Sequence, residues 1–260
     1  MPKPLTRAAI AASLTTHILG RAGVCLETID STNEEAKRLA RAGAVDGTLV
    51  TAEYQTGGKG RLGRSWVSSP GSGLTCTVLL CGGHLPQTPA GVTLLAGMAV
   101  CNTLREDFGV DARIKWPNDV IIGSKKVCGI LAEAGVRAEG PWAIVGVGIN
   151  ITDDAFPPEL AQRATSLLLA TGRIQDRCAI LCGFLARFEA LLEAGGGLPR
   201  DYKPLCVTLG RHVRFTRNGQ HLTGLAVDVS PDGSLLVALP DGKLVSISSG
   251  EVTVQGIYGE

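Results

Sequence analysis

Apolar side chains recur at helical spacing in several stretches of the chain, and these stretches predict its helices. Near the N-terminus, Ile10, Leu14 and Ile18 fall on one stripe, as expected for a helix with one buried face. A second stretch begins with Ser31 and Glu34, which are spaced to form a capping box. The predicted helices cover 5–19, the segment from Ser31 to before Gly43, the segment from Thr88 and Pro89 to before Gly109, and 177–193.

Apolar runs bounded by turn residues predict the strands. Pro117 breaks one such run, and Asn118 and Asp119 follow it as a hairpin corner, because both side chains favour turns. The predicted strands lie near 24–29, 48–54 and 74–80, with three more over roughly 112–151. Hairpin-linked strands with fewer helices favour an α+β fold over a doubly wound sheet.

The pattern changes beyond about residue 207, where short β-rich runs alternate with hairpin signals. The signals are Asn218-Gly219, Asp232-Gly233 and Asp241-Gly242, and such dipeptides favour tight turns between antiparallel strands. This spacing predicts a small barrel of about 50 residues. The expected domains are therefore 1–206 and 207–260, and Gly195–Pro199 is the linker-like stretch.

Composition narrows the class of protein. The 260 residues carry a net charge of +1 and are 45% hydrophobic, which suits a globular enzyme and gives no overall field to recruit nucleic acid or membrane. No apolar run reaches membrane-spanning length, and the N-terminus lacks the regions of a signal peptide, so we expect a cytoplasmic protein. Eight cysteines without a C-x-x-C and four scattered histidines indicate reduced thiols and no metal site.

The densest candidate chemistry lies in residues 57–66, Gly-Gly-Lys-Gly-Arg-Leu-Gly-Arg-Ser-Trp. Glycines make the backbone flexible, Lys59, Arg61 and Arg64 attract phosphate or carboxylate, and Trp66 offers a stacking surface. We interpret the stretch as a mobile anion clamp that a ligand orders. A solvated surface loop and an RNA-contacting segment are the alternatives. No P-loop or dinucleotide-binding glycine motif occurs, so a nucleotide must be held in another way.

Four more segments of unusual composition accompany this clamp. In chain order and with the clamp included, the five segments are Asp30-Ser-Thr-Asn33, Ala52-Glu-Tyr-Gln55 leading into Gly58–Arg64 and Trp66, Lys115-Trp-Pro-Asn-Asp119, Lys126-Val-Cys-Gly-Ile-Leu131 and Gly146-Val-Gly-Ile-Asn150. In these residues and in this order, the chain resembles the biotin protein ligases. Thirty residues precede Ser31, and one predicted helix and one predicted strand account for most of them. The resemblance is therefore to the monofunctional form, which lacks an N-terminal helix-turn-helix domain.

This resemblance implies a fold and an activity. The fold would be a mixed β-sheet catalytic domain with packed helices, like that of class II synthetases, followed by an SH3-like C-terminal barrel. The enzyme would activate biotin with ATP to biotinyl-5′-AMP and transfer biotin to a lysine of a biotin carboxyl carrier domain. ATP and biotin would be substrates, and Mg²⁺ is expected with ATP. No membrane partner is implied, and a homodimer is compatible with the resemblance.

Carried over residue by residue, the resemblance also assigns a site. Residues expected against biotin are Ser31, Thr32, Asn33, Gln55, Lys59, Gly60, Arg61, Lys126, Gly129 and Gly148. Residues expected against ATP are Lys59, Arg61, Arg64, Trp66, Asn118, Lys126 and Asn150. The expected catalytic residues are Lys126, Arg61 and Asp119. The two cations would bring two anions together, and Asp119 would accept a proton from the incoming lysine, unless it is a structural turn carboxylate.

Two positions depart from the family pattern, which often has arginine where this chain has Lys59 and Leu62. Lysine lacks the bidentate fork of arginine, and leucine removes a cation, so we expect a weaker clamp. Two other functions stay open: a lipoate-protein ligase with the same adenylation chemistry, and a non-enzymatic nucleic-acid-binding regulator. We expect no binding to operator DNA, because the residues before Ser31 leave no room for a recognition helix.

Overall fold

The computed structural model describes residues 3–85, 89–195, 197–217, 219–248 and 250–259. Its α-helices are α1 Arg7–Ser13, α2 Thr32–Arg41, α3 Pro89–Glu106, α4 Pro158–Ala161, α5 Leu167–Thr171, α6 Arg177–Glu193 and α7 Tyr202–Leu205. Its strands are β1 Gly23–Ile29, β2 Leu49–Gln55, β3 Gly73–Cys81, β4 Ala112–Lys115, β5 Asp119–Ile122, β6 Lys125–Arg137, β7 Gly140–Asn150, β8 His212–Arg217, β9 Gln220–Val229, β10 Leu235–Ala238, β11 Leu244–Ile247 and β12 Val252–Val254.

Strands β1 to β7 form one mixed sheet in the order β1-β2-β3-β7-β6-β5-β4. Strands β1 and β2 run parallel, and the other described neighbours in this sheet run antiparallel. This arrangement confirms the predicted α+β class. The central strands bring glycines together, because Gly148 of β7 pairs with Gly129 of β6 on one side and with Thr75 of β3 on the other.

The two faces of this sheet bury different helices, because alternate residues of a strand point to opposite sides. Val78 of β3 belongs to the main core, which also contains buried residues of α3 and α6. The next residue, Leu79, instead packs in a cluster with Ala36 and Ala40 of α2. Further along the face that α2 covers, Thr75 lines a cavity. The helix therefore covers one end of this face and leaves the other end open to a ligand.

Strands β8 to β12 form a second, antiparallel sheet in the order β11-β10-β9-β8-β12. Gly233 and Gly242 adopt positive φ values of 88° and 84° at the turns into β10 and β11, which confirms two of the predicted hairpins. Asn218 of the third hairpin, Thr88 at the predicted start of α3 and Gly196 of the linker-like stretch lie outside the described residues. The domain boundary at 206/207 stays a prediction.

The first helix is shorter than predicted, because α1 ends at Ser13. Further on, the backbone N–H groups of residues 17–19 donate to the Glu189 carboxylate of α6 at 2.6, 2.7 and 2.8 Å. The Glu189 carboxylate thus accepts the hydrogen bonds that backbone carbonyls would accept if the helix continued. The chain leaves the helix and is tied to α6 instead.

Two further local predictions are wrong. The stretch 112–151 holds four strands rather than three, since a turn separates β5 from β6. Ser31 occupies the N-cap of α2, but its side chain makes no capping hydrogen bond. Glu34 does not complete a capping box, because it pairs with Lys37 and Lys59.

The cysteines are free thiols throughout the described residues, as predicted. Burial raises the pKa of Cys76 and of Cys101 to about 12, so these thiols stay protonated. The described residues hold no group of three or more histidines, cysteines or carboxylates arranged for a metal ion. Within the same residues, no helix has both the length and the apolar character needed to cross a membrane.

Candidate active site

A cavity of about 50 Å³ lies at the end of the sheet face that α2 leaves uncovered. Its floor is built from glycines, and we call it the glycine-floored cavity. A Cβ atom at Gly148 would lie 2.5 Å from the Trp66 ring, and one at Gly146 would lie 2.0 Å from Asn33 Oδ1. A Cβ at Gly129 would lie 2.8 Å from the end of the Lys126 side chain. Glycine is therefore needed at 146 and 148, where the Asn33 amide and the Trp66 ring approach the backbone, whereas the flexible end of Lys126 could move away from a Cβ at 129.

One end of the glycine-floored cavity is polar. Gln55 Oε1 accepts hydrogen bonds from the Thr32 backbone N–H at 2.7 Å and from its hydroxyl at 3.1 Å. Asn33 Nδ2 donates to Glu133 at 2.9 Å, and Asn33 Oδ1 accepts from the Thr77 hydroxyl at 2.8 Å. These contacts fix the direction of each amide, so the cavity end offers both donors and acceptors in set positions. Sequence reasoning missed both Thr75, which lines this cavity, and Thr77, which lies on the same side of β3 and bonds Asn33.

The predicted clamp, residues 57–66, folds back on itself beside this cavity. Lys59 and Ser65 form an antiparallel bridge, and Gly60 N donates to Arg64 O at 2.7 Å. At the tip, Leu62 adopts a left-handed backbone with φ 57° and is 68% exposed. Leu62, one of the two positions that depart from the family pattern, lines the second cavity and contributes no charge to it.

Each cation of the clamp has a partner on another part of the molecule. The partners are Glu34 of α2 for Lys59, at 2.5 Å, the Gly250 carbonyl for Arg61, at 3.0 Å, and the Glu251 carboxylate for Arg64. Two of these partners come from the segment that leads into β12. The Lys59 and Arg64 contacts are exposed ion pairs, which contribute about 0–1 kcal/mol each, so an anionic ligand can replace them.

Lys126 lies between the clamp and the β5 strand. Its Nζ is 2.6 Å from Asp119 Oδ1 and 5.7 Å from the centroid of the Trp66 ring. The Tyr258 hydroxyl donates to Asp119 Oδ2 at 2.6 Å. Burial opposes the charge of Asp119, but the charges of Lys126 and Lys115 outweigh it and hold the pKa of Asp119 below its usual value.

This environment bears on the role predicted for Asp119. A general base works best when its pKa is near the operating pH, and a carboxylate with a lowered pKa accepts protons weakly. Both oxygens of Asp119 are also occupied by hydrogen bonds. The geometry therefore favours Asp119 as the residue that holds Lys126 over its predicted acceptance of a proton.

A second, larger cavity of about 370 Å³ adjoins the first across the clamp. Phe156, Leu160 and Ile257 give it an apolar wall. Asn150 also lines it, and its Nδ2 donates to the Thr165 carbonyl at 3.1 Å, which fixes the amide. An apolar wall with oriented amides suits a base or another planar ring.

The structure brings the predicted site residues together around these two cavities. All ten residues expected against biotin line the glycine-floored cavity. Of those expected against ATP, all except Lys59 line the second cavity, and Asp119 lines it too. The residues that line both cavities are Gly60, Arg61, Trp66, Asn118 and Lys126.

Sequence reasoning missed the residues that the C-terminal region adds to the second cavity. They are Gly250, Glu251 and Tyr258, together with residues of β12. No local pattern around them signals a ligand, since they meet the site only through the fold. Lys115, which also lines this cavity, stands inside the Lys-Trp-Pro-Asn-Asp segment and could have been selected there.

Both the family models and the curated relatives that match this chain are those of biotin protein ligases or of the wider family that includes them. Residues 25–150 match the biotin/lipoate A/B protein ligase family, and residues 208–254 match the biotin protein ligase C-terminal domain. The biotin–[acetyl-CoA-carboxylase] ligase of Mycobacterium tuberculosis is 34% identical, with 85% of each chain covered. The bifunctional ligase/repressor BirA of Bacillus spizizenii is 32% identical over 93% of this chain and 77% of its own length.

Solved structures agree with these sequence matches. The biotin protein ligase from Aquifex aeolicus, in complex with biotin and ATP, is similar with a TM-score of 0.77 and 31% identity, over 90% of this chain and 99% of that one. The C-terminal match and the relatives' names both separate this chain from the lipoate branch of the wider family. The chain belongs to the biotin protein ligase family.

Proposed function

We propose that this chain joins biotin to AMP at the expense of ATP and then transfers biotin to a lysine of a carrier protein. One observation supports this most directly: Arg61 and Lys126, both cations, line the two cavities at their common boundary. A carboxylate in the first cavity and an α-phosphate in the second would meet there. Because both are anions, they need cations between them before they can react.

The glycine-floored cavity is the proposed biotin site. The ureido group of biotin carries donors and acceptors that match the fixed groups of Thr32, Asn33 and Gln55. Its ring system would lie over the glycine floor, with the carboxylate directed toward Lys126. The cavity measures about 50 Å³ because Trp66 and Lys126 lie on that floor, so both side chains must shift when biotin enters.

The second cavity is the proposed ATP site, with adenosine near Trp66, Asn118 and Asn150. Mg²⁺ is expected with ATP, and such ions bind mainly phosphate oxygens and water, with one or two carboxylates. Glu251 is a carboxylate that lines this cavity and is about half exposed, so it fits that requirement, whereas both oxygens of Asp119 are already bonded. When bound, the ion neutralises phosphate charge. Arg61, Arg64 and Lys126 supply the remaining positive charge.

The reaction then proceeds in two steps, adenylation of biotin and transfer of biotin to the carrier. A carboxylate oxygen of biotin attacks the α-phosphorus, an O–P bond forms, and pyrophosphate leaves with the electrons of the broken bond. Next, a lysine amine attacks the acyl carbon, AMP leaves, and the amine proton passes to solvent. The first step needs no nucleophilic side chain, so positioning and electrostatics carry the rate.

Partner and compartment follow from this chemistry. The acceptor is expected to be the biotin carboxyl carrier domain of a carboxylase. Eight free thiols and the use of ATP suit the cytoplasm, where thiols stay reduced. Sedimentation analysis measures whether the chain forms the homodimer that the family resemblance allows.

ATP–pyrophosphate exchange tests the proposal. Purified protein with labelled pyrophosphate should form labelled ATP when biotin is present, and not when lipoate replaces biotin. Lys126→Met should lower the rate by about 100-fold or more, as for removal of one charge-stabilising group. Exchange that depends on lipoate would assign the chain to lipoate-protein ligases, and no exchange with either acid would contradict adenylation.

A further inference from the structure

Tyr258 connects the C-terminal region to the ammonium on which the proposed reaction depends. Its hydroxyl donates to Asp119 Oδ2 at 2.6 Å, and Asp119 Oδ1 lies 2.6 Å from Lys126 Nζ. Asp119 is 8% exposed, so water has little access to replace either partner. We propose that Tyr258 is a positioning residue for Lys126, acting through Asp119. This inference rests on the proposed function, because Lys126 matters only if the adenylation reaction occurs here.

The Tyr258 ring is held in place by its surroundings. Its backbone has φ 63°, a left-handed conformation that is uncommon for a bulky residue and persists only where neighbours fix it. Its N–H donates to the Ser124 carbonyl at 3.0 Å. Lys115 Nζ lies 4.9 Å from the ring centroid and donates to the Val252 carbonyl at 3.1 Å. The hydroxyl therefore meets Asp119 from a fixed direction.

This contact has a consequence for Lys126. With donors on both oxygens, the Asp119 carboxylate cannot turn about its Cβ–Cγ bond without losing a hydrogen bond. Without the Tyr258 hydroxyl, it can turn, and Lys126 can move with it. A misplacement of about 1 Å in a reacting group can cost about 100-fold in rate. Because the ammonium stabilises charge that develops in the transition state, the loss should appear in kcat and not in KM.

Tyr258→Phe tests this proposal, because it removes the hydroxyl and keeps the ring beside Lys115. We expect kcat for biotin-dependent ATP–pyrophosphate exchange to fall about tenfold, the lower end for loss of a hydrogen bond to a charged group. KM for ATP and for biotin should change by less than about twofold. Tyr202→Phe, at a buried tyrosine that lines neither cavity, should keep the wild-type kcat. An unchanged kcat in Tyr258→Phe, or a change confined to KM, overturns the proposal.

A double-mutant cycle separates positioning from general stability. If Tyr258 acts through Asp119, Tyr258→Phe should cause no further loss of kcat in an Asp119→Asn background. Losses that multiply, with or without a lower Tm, would show that Tyr258 acts by another route and overturn the proposal. Failure of the wild type to catalyse biotin-dependent exchange would instead reject the proposed function, so the two outcomes are distinguishable.

Discussion

Arg61 is the residue at which the clamp, the β5 hairpin and the C-terminal region meet. Its guanidinium donates to Asn118 Oδ1 at 2.6 Å and to the Gly250 carbonyl at 3.0 Å. Burial lowers the pKa of Arg61, but arginine remains charged at any physiological pH. An arginine that is half-buried, charged and bonded to two elements can close a site over an anionic intermediate.

Arg61→Gly should weaken retention of the acyl-adenylate. Loss of hydrogen bonds to a charged group costs about 1.5–3 kcal/mol, or ten- to a hundredfold in release. The measurement is biotinylation of an unrelated lysine-rich protein by released biotinyl-AMP, with Arg173→Gly, at an exposed arginine lining neither cavity, as the control. No increase over wild type, with ATP turnover intact, would count against the clamp.

Glu189 should stabilise the fold through its hydrogen bonds to the N-terminal segment. Burial opposes its charge, but hydrogen bonds from the backbone of residues 17–19 outweigh this and lower its pKa from 4.5. Glu189→Gln should reduce the free energy of unfolding by about 2–3 kcal/mol at pH 7, because one charged acceptor of three N–H groups is lost.

The pH dependence of this effect follows from the sign of the shift. Since the folded pKa lies below 4.5, the contribution is complete above that pH and is lost as the pH falls through the folded value. Urea unfolding of wild type and Glu189→Gln at pH 7 and at lower pH should therefore converge. Glu193→Gln, on the exposed side of α6, is the control. A difference that does not change with pH would show that the charge is not responsible.

The clamp is the element whose order should depend on ligand. Its Lys59 and Arg64 side chains are held by exposed ion pairs, which are weak, and its glycines carry a large entropic cost of ordering. Amides of residues 57–65 should exchange quickly in the free protein and become protected with biotin and ATP. Residues 74–80 of β3 serve as the internal control, and Glu251→Gln should speed exchange in the free protein further. Equal protection of the clamp in both states would rule out ligand-dependent ordering.

Elements could be predicted where a local pattern decides them. The helix stripe of α6 and the apolar runs of β2, β3 and β7 are local, and the structure confirms these elements. The length of α1 could not be predicted, because Glu189 ends it from a distant part of the chain. The capping box at Ser31 failed partly for a similar reason, since Lys59 of the clamp attracts Glu34, and partly for a local one, since Lys37 lies one turn along α2.

At the scale of the whole molecule, the site could be predicted only in part. Five segments were recognisable from their residues, and the central strands gather most of them onto one face of the sheet. The contribution of Tyr258 and Glu251 depends on how the C-terminal sheet meets β4 and β5, which no short stretch of sequence encodes. Contacts such as that of the Trp116 indole N–H with the Gly233 carbonyl, at 3.0 Å, bring these parts together.

Relatives of this chain include a bifunctional ligase/repressor, which raises the question of binding to operator DNA. Operator recognition by a helix-turn-helix needs two packed helices, one of them in the major groove. The described residues before Ser31 contain α1 and β1 and carry three cations against two carboxylates. Of these cations, Arg7 and Arg21 already donate to backbone carbonyls of the same segment. Residues 3–30, the part of this segment that the structure describes, leave no basic stripe to contact phosphates.

We therefore expect this chain to show no specific affinity for operator DNA. A gel-shift titration against the promoter of its biotin-synthesis genes, at physiological salt with biotin and ATP present, measures this directly. Random DNA of equal length is the control, because electrostatic binding without sequence preference would appear equally with both. Binding to the promoter well above binding to random DNA would show that another surface reads sequence, and would make this chain a repressor as well as a ligase.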